Sequence, residues 1–155
     1  MGIVERLVPD ELWELFQRVV PEVPSRPQGG GRRGHGDREV LAAIVFVATS
    51  GCTWQQLPTA SFEPSGATAH RRLSAWTQAR VWAKLHRLVL DELGARGKLD
   101  WSRCAIDSVN LRALKRGTSL AGCRRLRRRH ERKAEHFLAV TSIACTLISY
   151  RRLTN

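Results

Sequence analysis

A carboxylate on a short apolar strand is where metal-dependent phosphoryl chemistry begins, and the stretch Ser102-Arg-Cys-Ala-Ile-Asp107-Ser-Val-Asn-Leu-Arg112 carries one in Asp107. Such chemistry uses two divalent ions about 3.5 to 4 Å apart, clamped by several carboxylates, so Asp107 alone cannot hold both. Downstream of it the acids are Glu131 and Glu135, set among Arg and Lys. Arg127 and Arg128 can reach Glu131, and Arg132 can reach Glu135, so helix-surface ion pairs account for both acids better than metal ligation does. The 48 residues after Asp107 are too few for a multi-stranded sheet with covering helices, whose crossover units take about 30 residues each.

A second group of residues suits a different task. In a helix starting at Ser65, Ala69, Leu73 and Trp76 share one face, while His70 or Arg71, Ser74 and Gln78 share the other. Gln55, Thr68, Arg71 and Gln78 are types that hydrogen-bond base edges, Arg72 and Arg80 are placed to meet phosphates, and His70 is a further DNA-binding candidate on the polar face. Between Glu63 and Asp91 lie 27 residues without an acid, as an anion-facing surface requires. Further on, residues 112–133 hold ten Lys and Arg against one acid, among them Arg124, Arg125, Arg127, Arg128 and Arg129, a second candidate grip on DNA phosphates. The rival reading for each of these residues is a solvated helix face or basic tail.

The elements that must position these residues are mainly helical. Pro9 and Asp10 open a helix through Leu12, Leu15, Phe16 and Val19, ended by Pro21. The Pro- and Gly-rich run to Gly36, with Arg32 and Arg33, is a basic loop. Asp37 is placed to cap a helix through Val40, Leu41, Ile44, Val45, Val47 and Ala48 to Gly51, apolar nearly all round and so the central core helix. Thr53 caps a short helix, Thr53 to Leu57, closed by Pro58, and the longer connection to Ser65 makes the unit helix-turn-helix-like rather than the tightest form of that motif. Val81, Trp82, Leu85, Leu88, Val89 and Leu93 form another amphipathic helix, in which His86 has no evident partner. Trp54, Trp76 and Trp82 suit a core better than a base-stacking platform. At the C-terminal end Phe137, Val140, Ile143, Ala144, Leu147 and Ile148 recur at helical spacing and want an apolar partner, from the N-terminal helices or from a second copy.

The expected architecture is therefore a mainly α helical bundle with one or two short strands near 102–112. It divides into a helical DNA-binding domain over 1–100, a strand remnant over 101–116 and a basic C-terminal helix and tail over 117–155. Twenty-six Lys and Arg against 14 acids give a formal charge of +12 and a pI near 11.1, which points to a polyanionic partner. Cys52, Cys104, Cys123 and Cys145 are too widely spaced for a paired ligand motif and suit buried free thiols in a reducing compartment. No secretory leader is evident and no apolar run reaches the roughly 20 residues of a membrane span, so a cytoplasmic, nucleoid-associated protein is expected.

Gly51-Cys-Thr-Trp-Gln-Gln-Leu-Pro58, His70-Arg-Arg-Leu-Ser-Ala-Trp76 and the Ala-Ile-Asp-Ser-Val-Asn-Leu-Arg-Ala stretch around Asp107 together resemble bacterial insertion-sequence transposases of the DDE type. Residues 1 to about 100 resemble that family's N-terminal helical domain, and 102–116 the first strand of its RNase H-like catalytic core. Residues from about Cys123 to Leu153 resemble its extreme C-terminus, so the join near Gly117 to Gly122 looks like an internal deletion of the core. The resemblance implies that Asp107 is the first acid of the catalytic triad and a ligand for Mg2+ or Mn2+ in intact relatives. With the second Asp and the Glu unmatched, the chain is expected to be inactive alone and to need no cofactor. The implied partner is double-stranded DNA at transposon terminal repeats, with a second copy or an intact transposase as a further one. The alternatives are a helix-turn-helix repressor binding transposon ends and a pseudogene product without a selected role.

Overall fold

A helix that is apolar all round must lie in the middle of its domain, and the run from Val40 to Ala48 does. The computed structural model of the chain describes residues 2–22, 36–97, 124–127 and 131–154. Its α-helices are α1 (Ile3–Leu7), α2 (Asp10–Gln17), α3 (Asp37–Ser50), α4 (Gly66–Gln78), α5 (Val81–Ala95) and α6 (Ala134–Thr154). Two 3-10 turns, Trp54–Gln56 and Arg124–Arg127, complete the described secondary structure, which is mainly α as expected. The expected strands near 102–112, Asp107 with them, the loop bearing Arg32 and Arg33, and the join at 117–122 lie outside the described residues.

In α3 the residues Val40 to Val45, Val47 and Ala48 are all buried. Its start differs by one residue from the sequence expectation. Gly36 is the N-cap and Asp37 lies in the first turn, where the carboxylate still favours the helix dipole but is free to pair elsewhere. Its end is as expected: Gly51 takes the left-handed conformation at φ 74° and returns its N–H to Val47 O at 3.1 Å. A Cβ at Gly51 would also come within 2.9 Å of Arg124 Cβ, so glycine is required there by conformation and by the close approach of the second 3-10 turn.

Around α3 the other helices bury the faces their periodicity marks. From α2 come Leu12, Leu15 and Phe16; from α4 Ala69, Leu73 and Trp76; from α5 Val81, Trp82, Leu85, Val89 and Leu93. Each large apolar side chain so enclosed contributes about 1.5 to 3 kcal/mol. Phe16 meets Trp76 edge-on at 5.0 Å, and Trp76 meets Trp82 at 5.8 Å, so these two tryptophans are core aromatics. Arg38 ties the N-terminal segment down by donating to Val8 O at 2.8 Å and pairing with Asp10 at 2.6 Å.

The C-terminal helix folds back rather than remaining without a partner. It packs chiefly on α5, with further contacts to α4 and α3. His136, Ala139, Val140, Ile143, Thr146, Tyr150 and Leu153 face inward along it. This stripe is rotated slightly from the expected one: Phe137, Leu147 and Ile148 are half-buried at its edge, and Leu138 is exposed. No described helix is long and apolar enough to cross a membrane.

Candidate nucleic-acid interface

The 3-10 turn before α4 is held by its own sequence. Thr53 and Gln56 form a reciprocal capping box, with the Thr53 N–H donating to Gln56 Oε1 at 3.0 Å. Ser65 then caps α4, its Oγ accepting from the Thr68 N–H at 3.3 Å. Gly66 lets turn and helix meet, because a Cβ there would lie 1.7 Å from Trp54 O. Trp54, Gln55, Leu57, Thr59, Ser65 and His70 line an open groove at this junction.

Of the residues expected to read DNA, the structure leaves some outward and turns others inward. Arg71 and Gln78 are exposed and, with the small exposed residues Ala67 and Ala75, make one outward stripe on α4. Gln55 is exposed on the preceding turn, and Arg80 is exposed at the α4–α5 junction with φ 57°. Thr68 is half-buried and occupied locally by the cap, its Oγ1 accepting from Ser65 Oγ at 3.1 Å.

Arg72, His70 and Arg125 make contacts within the fold. Arg72 pairs with Asp37 Oδ1 at 2.5 Å and lies over the Trp76 ring, so the carboxylate that opens α3 draws it toward that helix. His70 is half-buried against the C-terminal segment, its ring 5.3 Å from that of His136. Burial first, and the neighbouring His136 second, push its pKa below the ordinary histidine value.

Arg125 is only 4% exposed and forms an ion pair with Glu131 Oε1 at 2.5 Å. It also donates to Cys52 O at 2.5 Å and stacks over Trp54 at 5.0 Å. Its contacts are internal, and Glu131, 6% exposed, is a buried partner of Arg125 rather than the helix-surface acid its spacing suggested. Glu135 is exposed, with Oε1 3.9 Å from His136 Nε2. Arg124 is exposed, whereas Arg128, Arg129 and the Arg127 side chain lie outside the described residues.

Lys84 and Arg87 were missed in the sequence. Both are exposed on α5, opposite the buried Trp82, Leu85 and Val89. Their spacing from Arg80 by four and seven residues marks one helix face, a signal the sequence does contain. Together with Arg71 and Gln78 they occupy the acid-free span between Glu63 and Asp91.

Metal chemistry at Asp107 falls outside the described residues. Among these, one group of three potential ligands converges, His70, Glu131 and His136, and its two imidazoles differ from the oxygen donors that Mg2+ prefers. The described free thiols, Cys52 and Cys145, are half-buried, and burial pushes the Cys145 pKa up.

Residues 8–86 match a family model described as "Putative transposase of IS4/5 family". A Burkholderia cepacia protein, "Insertion element IS402 uncharacterized 16.2 kDa protein", is 39% identical over 115 residues, covering 74% of this chain and 78% of that protein. No solved structure matches the chain. The chain is thus a transposition-related protein of the insertion-element class. It belongs to the IS4/5 transposase family.

Proposed function

We propose that this protein binds double-stranded DNA at the terminal repeats of its insertion element and does not itself cut or join strands. The observation that carries the binding half is the exposed set Arg71, Gln78, Arg80, Lys84 and Arg87, gathered on α4 and α5 in a span without acids. On this reading α4 presents Arg71 and Gln78 to base edges, and the α5 cations neutralise phosphates. Family membership supports DNA as the partner. The connection from Gly51 to Ser65 is longer than in tight helix-turn-helix units, so the docking angle need not be theirs.

The catalytic half rests on the acids that follow Asp107. Glu131 pairs with Arg125 inside the fold and Glu135 stands exposed on α6, which supports the reading that neither completes a two-metal site. Purified protein with Mg2+ or Mn2+ should leave terminal-repeat duplexes uncut, and metal-dependent cleavage abolished by Asp107→Asn would refute this half.

A second reading, repression by occupying transposon ends, uses the same face. One observation favours it over a product without any selected role: the C-terminal helix is packed into the core, as in a binding module that folds as a unit. Transcription from an element promoter in the presence and absence of the protein tests repression directly.

A further inference from the structure

Behind the proposed DNA face lies a polar cluster that neither groove binding nor core packing requires. His70 comes from α4, Glu131 from the segment entering α6, and His136 from the first turns of α6, 5 to 66 residues apart in sequence. One ligand atom from each lies within 4.8 Å of the others. We propose that His70, Glu131 and His136 form a site for a divalent transition-metal ion, with zinc the best match, which clamps the C-terminal segment onto the inner side of α4.

The donor set favours this assignment. Two imidazoles and one carboxylate, with a water as the fourth ligand, form a tetrahedral zinc set, whereas Mg2+ and Ca2+ prefer oxygen donors. Zinc holds such ligands at about 2.0 to 2.2 Å, which places them roughly 3.4 Å apart, so closure takes side-chain shifts of the order of 1 Å.

The surroundings supply the hydrogen bonds that orient metal ligands. Arg125 fixes one oxygen of Glu131 at 2.5 Å, leaving the second carboxylate oxygen for a cation. Ser74 Oγ lies 3.0 Å from His136 Nε2, where it can orient the ring or bond a metal-bound water. Trp54 packs against His70 at 5.3 Å and shields one side.

The test uses the full chain freed of metal with a chelator and titrated with Co2+ alone, a spectroscopic probe for zinc sites. A visible d–d spectrum saturating at one ion per chain, displaced by Zn2+, is expected. It should persist, without a thiolate charge-transfer band, when Cys52, Cys104, Cys123 and Cys145 are all changed to Ser. His136→Ala and His70→Ala should each weaken binding at least about ten-fold. His70 is half-buried, so His70→Ala keeps the comparison sound if the His136 variant fails to fold. Absence of the spectrum overturns the site, as does binding that survives both His substitutions or is lost with the cysteines. DNA binding is a separate measurement, so either proposal can fail alone.

Discussion

Arg125 and Glu131 form a buried ion pair at 2.5 Å, with 4% and 6% of their side chains exposed, and it joins the second 3-10 turn to the approach of α6. Two charges taken from water attract strongly, but the desolvation of each nearly cancels the gain, so the pair matters most when it is broken. Arg125→Ala should leave Glu131 charged and buried, at a cost of about 3 to 5 kcal/mol in urea unfolding. The double variant Arg125→Met/Glu131→Leu should recover most of that loss, and Arg124→Ala, on the exposed neighbour, should stay within about 0.5 kcal/mol of the parent. Equal effects at positions 124 and 125 would contradict the buried role.

Gly66 should not tolerate a side chain. Its Cβ would sit 1.7 Å from Trp54 O, a backbone atom, so either the 3-10 turn or the start of α4 must move. Gly66→Ala removes glycine's helix penalty of about 1 kcal/mol and on propensity alone should stabilise α4. Clash should win: the variant is expected to unfold at lower urea, by about 1 to 3 kcal/mol as for an overpacked site, and a gain in stability would rule out this close approach.

Arg80 separates stability from binding. At φ 57° it occupies a region that costs a non-glycine residue roughly 1 to 2 kcal/mol, while glycine loses about 0.5 to 1 kcal/mol more backbone freedom on folding. Arg80→Gly should therefore leave stability unchanged or raise it by up to about 1 kcal/mol. If its guanidinium meets a phosphate, the same variant should bind DNA more weakly, with a salt slope smaller by about one. Unaltered affinity and slope would remove Arg80 from the interface.

Stability should fall on the acid side. Burial lowers the pKa of His86 on α5 below the usual value near 6.5, and His70 shifts the same way. Below that value the unfolded chain binds more protons than the native one, so stability is full above about pH 6.5 and is lost as pH falls through the lowered values. His86→Gln should flatten this dependence in metal-free urea titrations, and an unchanged profile would exclude His86 as a contributor.

The sequence shows most clearly what depends on local repetition and capping. The apolar faces of α2, α3, α4 and α5, the Gly51 stop and the caps at Thr53 and Ser65 are all set by residues within one or two turns of each other. Charge partners were harder to read because they are distant: Arg72 meets Asp37 across 35 positions, Arg125 meets Cys52 O across 73, and Ser74 meets His136 across 62. Proximity in sequence suggested Arg127 and Arg128 for Glu131, but folding brought Arg125, whose guanidinium also lies over the Trp54 ring. For the same reason His70 reads as part of an outward polar face until α6 is seen to cover it. Lys84 and Arg87 were legible by helical spacing, and their pattern was overshadowed by the apolar residues between them.

The central claim is that α4 reads the ends of an insertion element through Arg71. Fluorescence anisotropy with labelled duplexes, one carrying the terminal repeat and one of random sequence at the same salt concentration, tests it most directly. The account predicts tighter binding to the repeat, and a loss of about 1 to 3 kcal/mol for Arg71→Ala on the repeat with a smaller loss on the random duplex. Equal affinity for both duplexes, or an Arg71→Ala variant that keeps its preference for the repeat, would contradict it.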